Sequence, residues 1–118
     1  MAPLVHLELL TADAASARAL YGELCGWRSS VVDTRAGAYL ALELGGGRDG
    51  LGGGIVESAA ARPVWLPYVG VDDIVRATAR AEALGASLLL PPREGPTGWR
   101  SVVASPAGGA IAFWQQKR

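Results

Sequence analysis

The sequence predicts an α+β fold built from two copies of a β-α-β-β-β unit. Three observations carry this reading. The stretch LVHLELLTAD at residues 4–13 is echoed by VWLPYVGVDD at 64–73. Each runs as a strand into a helix capped by an acid. Each helix is then followed by three short apolar stretches separated by glycine- or proline-rich turns. The copies span residues 1–58 and 59–118, and at 118 residues the chain is expected to form a single domain.

In the first copy, residues 3–10 alternate. Leu4, His6, Glu8 and Leu10 share one face, and Val5, Leu7 and Leu9 share the other. The second face is wholly apolar and should pack under a helix. The first has a polar centre, which suits a cavity wall. Thr11 and Asp13 offer oxygens to a helix N-terminus. The helix AASARALYGELC carries Ala17, Leu20, Tyr21 and Leu24 on its inner stripe, and Gly26 ends it. Strands are expected over 27–33, 37–44 and 51–57. In the second of these, Leu40, Leu42 and Leu44 face one way and Tyr39, Ala41 and Glu43 the other. The run GGGRDGLGGG lacks the lysine and following helix of a phosphate loop and reads as a flexible hairpin.

Residues 58–63 link the copies. A strand over 64–71 is followed by a helix capped by Asp72 or Asp73, with Ile74, Ala77, Ala81 and Leu84 inward and Gly85 closing it. Residues 87–90 form a strand that the prolines at 91–92 should stop. Strands over 99–104 and 110–115 complete the copy. In the last, Ile111 and Phe113 take one face, and Ala110, Ala112 and Trp114 the other.

Composition narrows the function classes. Eleven basic and eleven acidic residues cancel, and the pI is near 6.6. No basic stripe with interleaved aromatics marks a nucleic-acid surface. No long apolar run or charged leader suggests a membrane span or signal peptide, so a cytoplasmic location is expected. Cys25 is the only cysteine, which excludes an internal disulfide and a cysteine-clustered zinc site. At the end of a helix it reads as a small buried thiol.

Setting Asp13 on Asp73 places His6 on Leu66, Glu8 on Tyr68 and Val5 on Trp65. His6 and Glu8 lie on one strand face about 7 Å apart, close enough to touch one ligand or to act as acid and base. Both also have plain readings, as an inert histidine and a salt-bridged acid. Glu43 is a third polar candidate. Tyr39, Tyr68 and Trp114 share the inward face with Gly70, Ala41, Ala110 and Ala112. Large rings beside small residues suggest a slot for a planar ligand, although rings on a strand are most often core. Trp65 reads as core, Trp99 as a lid or dimer contact, and Arg100 as a solvated side chain.

The pattern resembles the vicinal oxygen chelate superfamily, which includes glyoxalase I, bleomycin-resistance proteins and extradiol dioxygenases. The resemblance rests on HLELLTADAASARALYGELCGW, WLPYVGVDDIVRATARAEALGA and SPAGGAIAFWQ in that order. It implies two βαβββ modules forming a cupped mixed sheet with helices outside, the glyoxalase/bleomycin-resistance/dioxygenase fold, in a homodimer. Metal-using members place one ligand on the first and one on the last strand of each module. His6 matches one such position. Leu66 and Ala112 fall on two others, and the fourth lies within GGGIV. One ligand of four implies no metal cofactor, since a divalent ion needs three or more protein groups as a rule.

Three functions follow as expectations. The first is metal-independent binding or sequestration of a hydrophobic or aromatic compound, such as an antibiotic or natural product, in a site drawn from Tyr39, Glu43, Leu66, Tyr68, Trp99, Ala112 and Trp114. The second is an enzyme (lyase, isomerase or dioxygenase), with unusual metal ligands or with His6 and Glu8 as its catalytic groups. The third is a structural partner subunit with a filled cup. No nucleic-acid or membrane partner is expected.

Overall fold

The structure, a computed structural model, describes residues 1–34, 37–46, 50–59 and 62–118. Residues 47–49 of the expected glycine-rich hairpin and 60–61 of the expected link lie outside these. The elements are β1 (Leu4–Thr11), α1 (Ala14–Cys25), β2 (Arg28–Thr34), β3 (Gly37–Glu43), β4 (Gly52–Glu57), β5 (Val64–Gly70), α2 (Ile74–Ala83), β6 (Ser87–Glu94), β7 (Gly98–Ala104) and β8 (Ala110–Gln116). The strands form one eight-stranded mixed sheet in the order β2-β3-β4-β1-β5-β8-β7-β6. The β-α-β-β-β repeat is therefore present twice. The chain divides into two compact units, one of His6–Leu66 and one of Met1–Val5 with Pro67–Arg118. The boundary falls inside β1 because the Gly70 amide donates to the Pro3 carbonyl at 2.9 Å, tying the first residues to the second unit.

In the unit of His6–Leu66, α1 starts where its sequence says it should. The Asp13 carboxylate accepts from the Ser16 amide at 3.1 Å and from the Ser16 hydroxyl at 2.6 Å. These bonds hold the Asp13 carboxyl below the usual carboxylate range. Thr11 Oγ1 accepts from the Asp13 amide, and Glu57 Oε1 from the Ala14 amide. Gly26, at φ 70°, closes the helix in the left-handed region. Leu9, Leu42 and Ile55 form the core, with Ala14, Ala17, Tyr21, Trp27, Leu40, Leu44 and Trp65 packed against it. Tyr21, Trp27 and Trp65 meet with ring centroids 5.4–6.1 Å apart. Trp65 is thus core, as the repeat implies. Leu20 and Leu24 are not: they are 56% and 71% exposed. The helix is rolled so that Ala14, Ala17 and Tyr21 point inward, because the rings of Trp27 and Trp65 fill the space beside Tyr21. Cys25 is exposed rather than buried, at the last residue of the helix, where no strand lies over it.

In the other unit, Asp73 caps α2 by accepting from the Arg76 amide. Gln115 Oε1 accepts from the Ile74 amide at 2.8 Å and so ties the helix to β8. Ile74 and Thr78 are the buried residues of α2, and Leu84, expected inward, is 74% exposed. Leu84 is the C-cap, and the chain leaves the helix there. Thr78 was not anticipated. Its hydroxyl bonds the Ile74 carbonyl at 2.6 Å and the Ser101 hydroxyl at 2.8 Å. Strand β6 does not stop at the prolines but runs on to Glu94, with register shifts between Leu88 and Leu90 and between Leu90 and Arg93. It is an edge strand, where a proline's missing N–H can face outward without breaking the ladder. No helix among the described residues is long and apolar enough to cross a membrane.

The Thr78–Ser101 pair gives a direct test. Ser101 is fully buried, so Thr78→Val strands its hydroxyl. The expected cost is roughly 1–3 kcal/mol in chemical denaturation. The double variant Thr78→Val/Ser101→Ala should recover part of that loss, because both polar groups are then gone.

Candidate functional site

Strand register decides where each candidate residue points. In the unit of His6–Leu66, Leu7 pairs with Gly53 and Glu8 with Gly54. A Cβ on Gly53 would lie 2.7 Å from Leu44 Cγ, on the α1 side. A Cβ on Gly54 would lie 3.5 Å from His6 Nε2. His6 and Glu8 therefore stand on the face away from the Leu9–Leu42–Ile55 core, and the imidazole leans over the bare Cα of Gly54. Ala41 pairs with Gly54, and Glu43 pairs with Gly52 and with Arg28. Tyr39, on the same strand face as Ala41 and Glu43, is half-buried, and Glu43 is exposed at the strand's end.

The geometry of the polar pair is specific. His6 Nε2 lies 3.6 Å from Glu8 Oε1, with side-chain exposures of 27% and 10%. That is within ion-pair range and slightly long for a hydrogen bond. The imidazole is the outer, reachable partner and the carboxylate the inner one. Leu66 is also buried, at 5% exposure. Apart from these residues, a groove of about 570 Å³ lies on the helix side, lined by Ala14, Ala15, Arg18, Ala19, Gly22, Glu23, Leu40 and Glu57. None of the candidate residues lines it.

In the other unit, Tyr68 pairs with Ala112, Gly70 with Trp114, and Arg100 with Trp114. Tyr68, Ala112, Trp114 and Arg100 thus share one face. Two expectations are corrected there. Arg100 is not a solvated side chain: it is half-buried, and its Nη1 donates to the Tyr68 hydroxyl at 3.1 Å. Nor do Tyr68 and Trp114 flank an open slot. Their ring centroids are 6.5 Å apart with the planes tilted by 52°, so the two rings pack against each other and not as parallel walls. The Trp114 indole also lies over Gly98, where a Cβ would come within 2.6 Å of Trp114 Cζ2. The rings use the small residues beside them as packing space. Tyr68 and Ala112 are 5% and 0% exposed.

Trp99 is on the opposite face. It alternates with Arg100, pairs with Gln115 and shares its side with Ser101 and Val103. The Lys117 ammonium sits 5.5 Å from its ring centroid and 2.8 Å from Glu94. Trp99 therefore belongs to a surface cluster on the α2 side and does not join Tyr68 and Trp114.

The superfamily's metal does not fit this donor set. Among the described residues no three His, Cys, Asp or Glu side chains cluster as a metal site would require. The positions pairing with His6 in the repeat and on the last strand are Leu66 and Ala112, which cannot ligate.

Comparisons with known proteins agree with the architecture. No family model matches the chain. It is 26% identical over 127 aligned positions, 95% of the chain, to the protein named "Putative glyoxylase CFP32" of Mycobacterium bovis and of Mycobacterium tuberculosis. The alignment takes in 45% of that protein, so the chain spans about half the length of the curated relatives it matches. Among solved structures it is similar to a methylmalonyl-CoA epimerase (TM-score 0.68, 17% identity, 98% of this chain and 95% of that one). It is also similar to the Mycobacterium tuberculosis methylmalonyl-CoA epimerase (0.65, 16%, 98% and 88%). A hypothetical protein of Bacillus halodurans C-125 aligns at 0.73 with 13% identity, over 99% and 96%. These agree with the two-module fold that the resemblance implies.

Two measurements check this description. Purified protein is expected to carry no stoichiometric Zn²⁺, Ni²⁺, Mn²⁺ or Fe²⁺. Elemental analysis finding close to one such ion per chain, lost in His6→Ala, would overturn the reading of the donor set. Gly98→Ala should cost roughly 1–3 kcal/mol by overpacking and should shift the tryptophan emission, since the added methyl meets the backbone carbonyl of Gln115 as well as the Trp114 indole and both must move.

Proposed function

We propose that this chain, which carries the fold of the vicinal oxygen chelate superfamily, binds a small apolar or aromatic organic compound without a resident metal. His6 and Glu8 supply the polar contacts. The observation that carries this reading is Glu8, only 8% exposed on a strand face away from the helix core, with an imidazole 3.6 Å from its carboxylate. Burying a carboxylate is costly unless charge or hydrogen bonds compensate it. An apolar residue there would serve packing better, and ionisable pairs kept in such places concentrate at functional sites. His6, the more exposed of the two, meets the ligand first. Glu8 behind it orients the ring.

The same pair supports a second reading, as an enzyme. A carboxylate and an imidazole side by side can move a proton at a carbon next to a carbonyl. The names glyoxylase and methylmalonyl-CoA epimerase among similar proteins favour testing that chemistry here.

One experiment separates the two. Calorimetric titration with a panel of aromatic compounds and of acyl thioesters, including methylmalonyl-CoA, should yield a ligand whose affinity is unchanged by chelator. Glu8→Gln and His6→Ala should each weaken it by roughly 1–3 kcal/mol, or about tenfold to a hundredfold, with the fold retained by circular dichroism. A ligand bound equally well by both variants would remove these residues from the site. Repeating the incubation in D₂O detects catalysis: deuterium entering the ligand in wild type, and not in Glu8→Gln, selects the enzyme.

A further inference from the structure

In the unit of Met1–Val5 with Pro67–Arg118, two arginines stand opposite each other on the β6–β7 hairpin. Arg93 pairs directly with Arg100, and directly paired residues project from the same face of a sheet. The turn beside them is tight, with the Gly95 amide donating to the Gly98 carbonyl at 2.7 Å. Like charges directly opposite each other are destabilising. In the other unit the β2–β3 hairpin instead sets Arg28 opposite Glu43. Glu94 is the only acid on the strands of the arginine-bearing unit. It alternates with Arg93 to the opposite face, where it pairs with Trp99 and holds Lys117 at 2.8 Å. The hairpin thus turns its own acid away from its two arginines.

We propose that Arg93, Arg100 and Tyr68 form a binding site for the oxyanion of an organic carboxylate or phosphate. Arg100 is half-buried, and its Nη1 donates to the Tyr68 hydroxyl at 3.1 Å. A phenol that accepts from a cation is still a donor through its own proton. A guanidinium and a phenol O–H therefore lie together, two donor types that recognise oxyanions. An arriving oxyanion adds to, or exchanges with, the partners these donors hold. Strand β8 lies between β7 and β5, so the bond to Tyr68 draws the Arg100 side chain inward. Arg93, exposed on the edge strand, stays at the rim. It attracts the anion, and Arg100 with Tyr68 holds it. Tyr68 is only 5% exposed, so charge interactions at this inner end are screened less than at the surface. Trp114 and Val102 share the face, and such apolar neighbours favour an organic body over a bare inorganic ion. The site lies within one unit, and the inference does not depend on the roles given to His6 and Glu8.

The test uses the whole chain at low ionic strength, with benzoate, phenyl phosphate and the neutral benzyl alcohol as probes. Calorimetry and tryptophan emission follow binding. At least one of the two anions should bind roughly tenfold or more tighter than benzyl alcohol, and added salt should weaken it. Tyr68→Phe removes only the hydroxyl and should weaken that anion about tenfold, as should Arg100→Gln. Arg93→Gln changes an exposed position, so it leaves the fold intact. It should weaken the anion roughly threefold and flatten the salt dependence. Glu94→Gln, on the opposite face, should leave binding unchanged. Anions bound no tighter than benzyl alcohol would overturn the proposal. So would wild-type affinity for the anion in Arg93→Gln or in Tyr68→Phe.

Discussion

The structure depends on a steric constraint made at β1: Leu9 must pack beside Ala14, Ala17 and Tyr21 of α1. Leu9 is buried with Leu42 and with Ile55, which is 1% exposed. A strand has a period of two, so burying Leu9 turns His6 and Glu8 to the other face. A slip of one residue would exchange the two sets. It would turn polar side chains toward Tyr21 and the tryptophans and expose Leu7 and Leu9. The cost of that alternative is what fixes the register, and the polar face is its consequence. In the other unit the Thr78–Ser101 bond plays the same part. It holds Ser101 and Val103 toward α2 and so turns Arg100 toward Tyr68.

Much of this was legible in the sequence because it follows from periodicity. The echo of Asp13 in Asp73 gave both capped helices and both first strands. Alternation separated Leu9, Leu40 and Leu42 from His6, Glu8 and Tyr39. It placed Tyr68, Ala112 and Trp114 together on one face. Such inferences need only the strand period and one apolar face. The aromatic cluster around Trp65 followed from its repeat partner, Val5, which alternates with the polar positions.

What was not legible depends on volume and on partners. The roll of α1 depends on how much room two indoles leave, and no helical period encodes that, so Leu20 and Leu24 fall outside. The prolines of β6 stop a central strand but not an edge strand, and strand order is not written locally. Small residues near Tyr68 and Trp114 signal either an opening or a place for the rings to lie. Here Gly98 receives the Trp114 indole, and the opening is taken up. Arg100 found a phenol across the sheet because β7 and β5 both pair with β8, a neighbourhood 32 residues apart in sequence.

Two polar pairs differ in kind, Thr78 with Ser101 and His6 with Glu8. Thr78 and Ser101 are neutral hydroxyls whose bonds, at 2.6 and 2.8 Å, are made to each other and to the helix backbone. Such a pair is nearly replaceable by apolar groups of the same shape. Its effect is to orient a helix. His6 and Glu8 are ionisable, stand 3.6 Å apart, and differ in exposure, with the imidazole outermost. An apolar side chain at either position would serve packing alone. The sequence instead keeps the one histidine of the chain beside a buried acid and over a glycine whose missing side chain leaves the ring room. On the proposed reading the imidazole meets the ligand from outside, with the acid behind it and the bare Cα of Gly54 leaving it room.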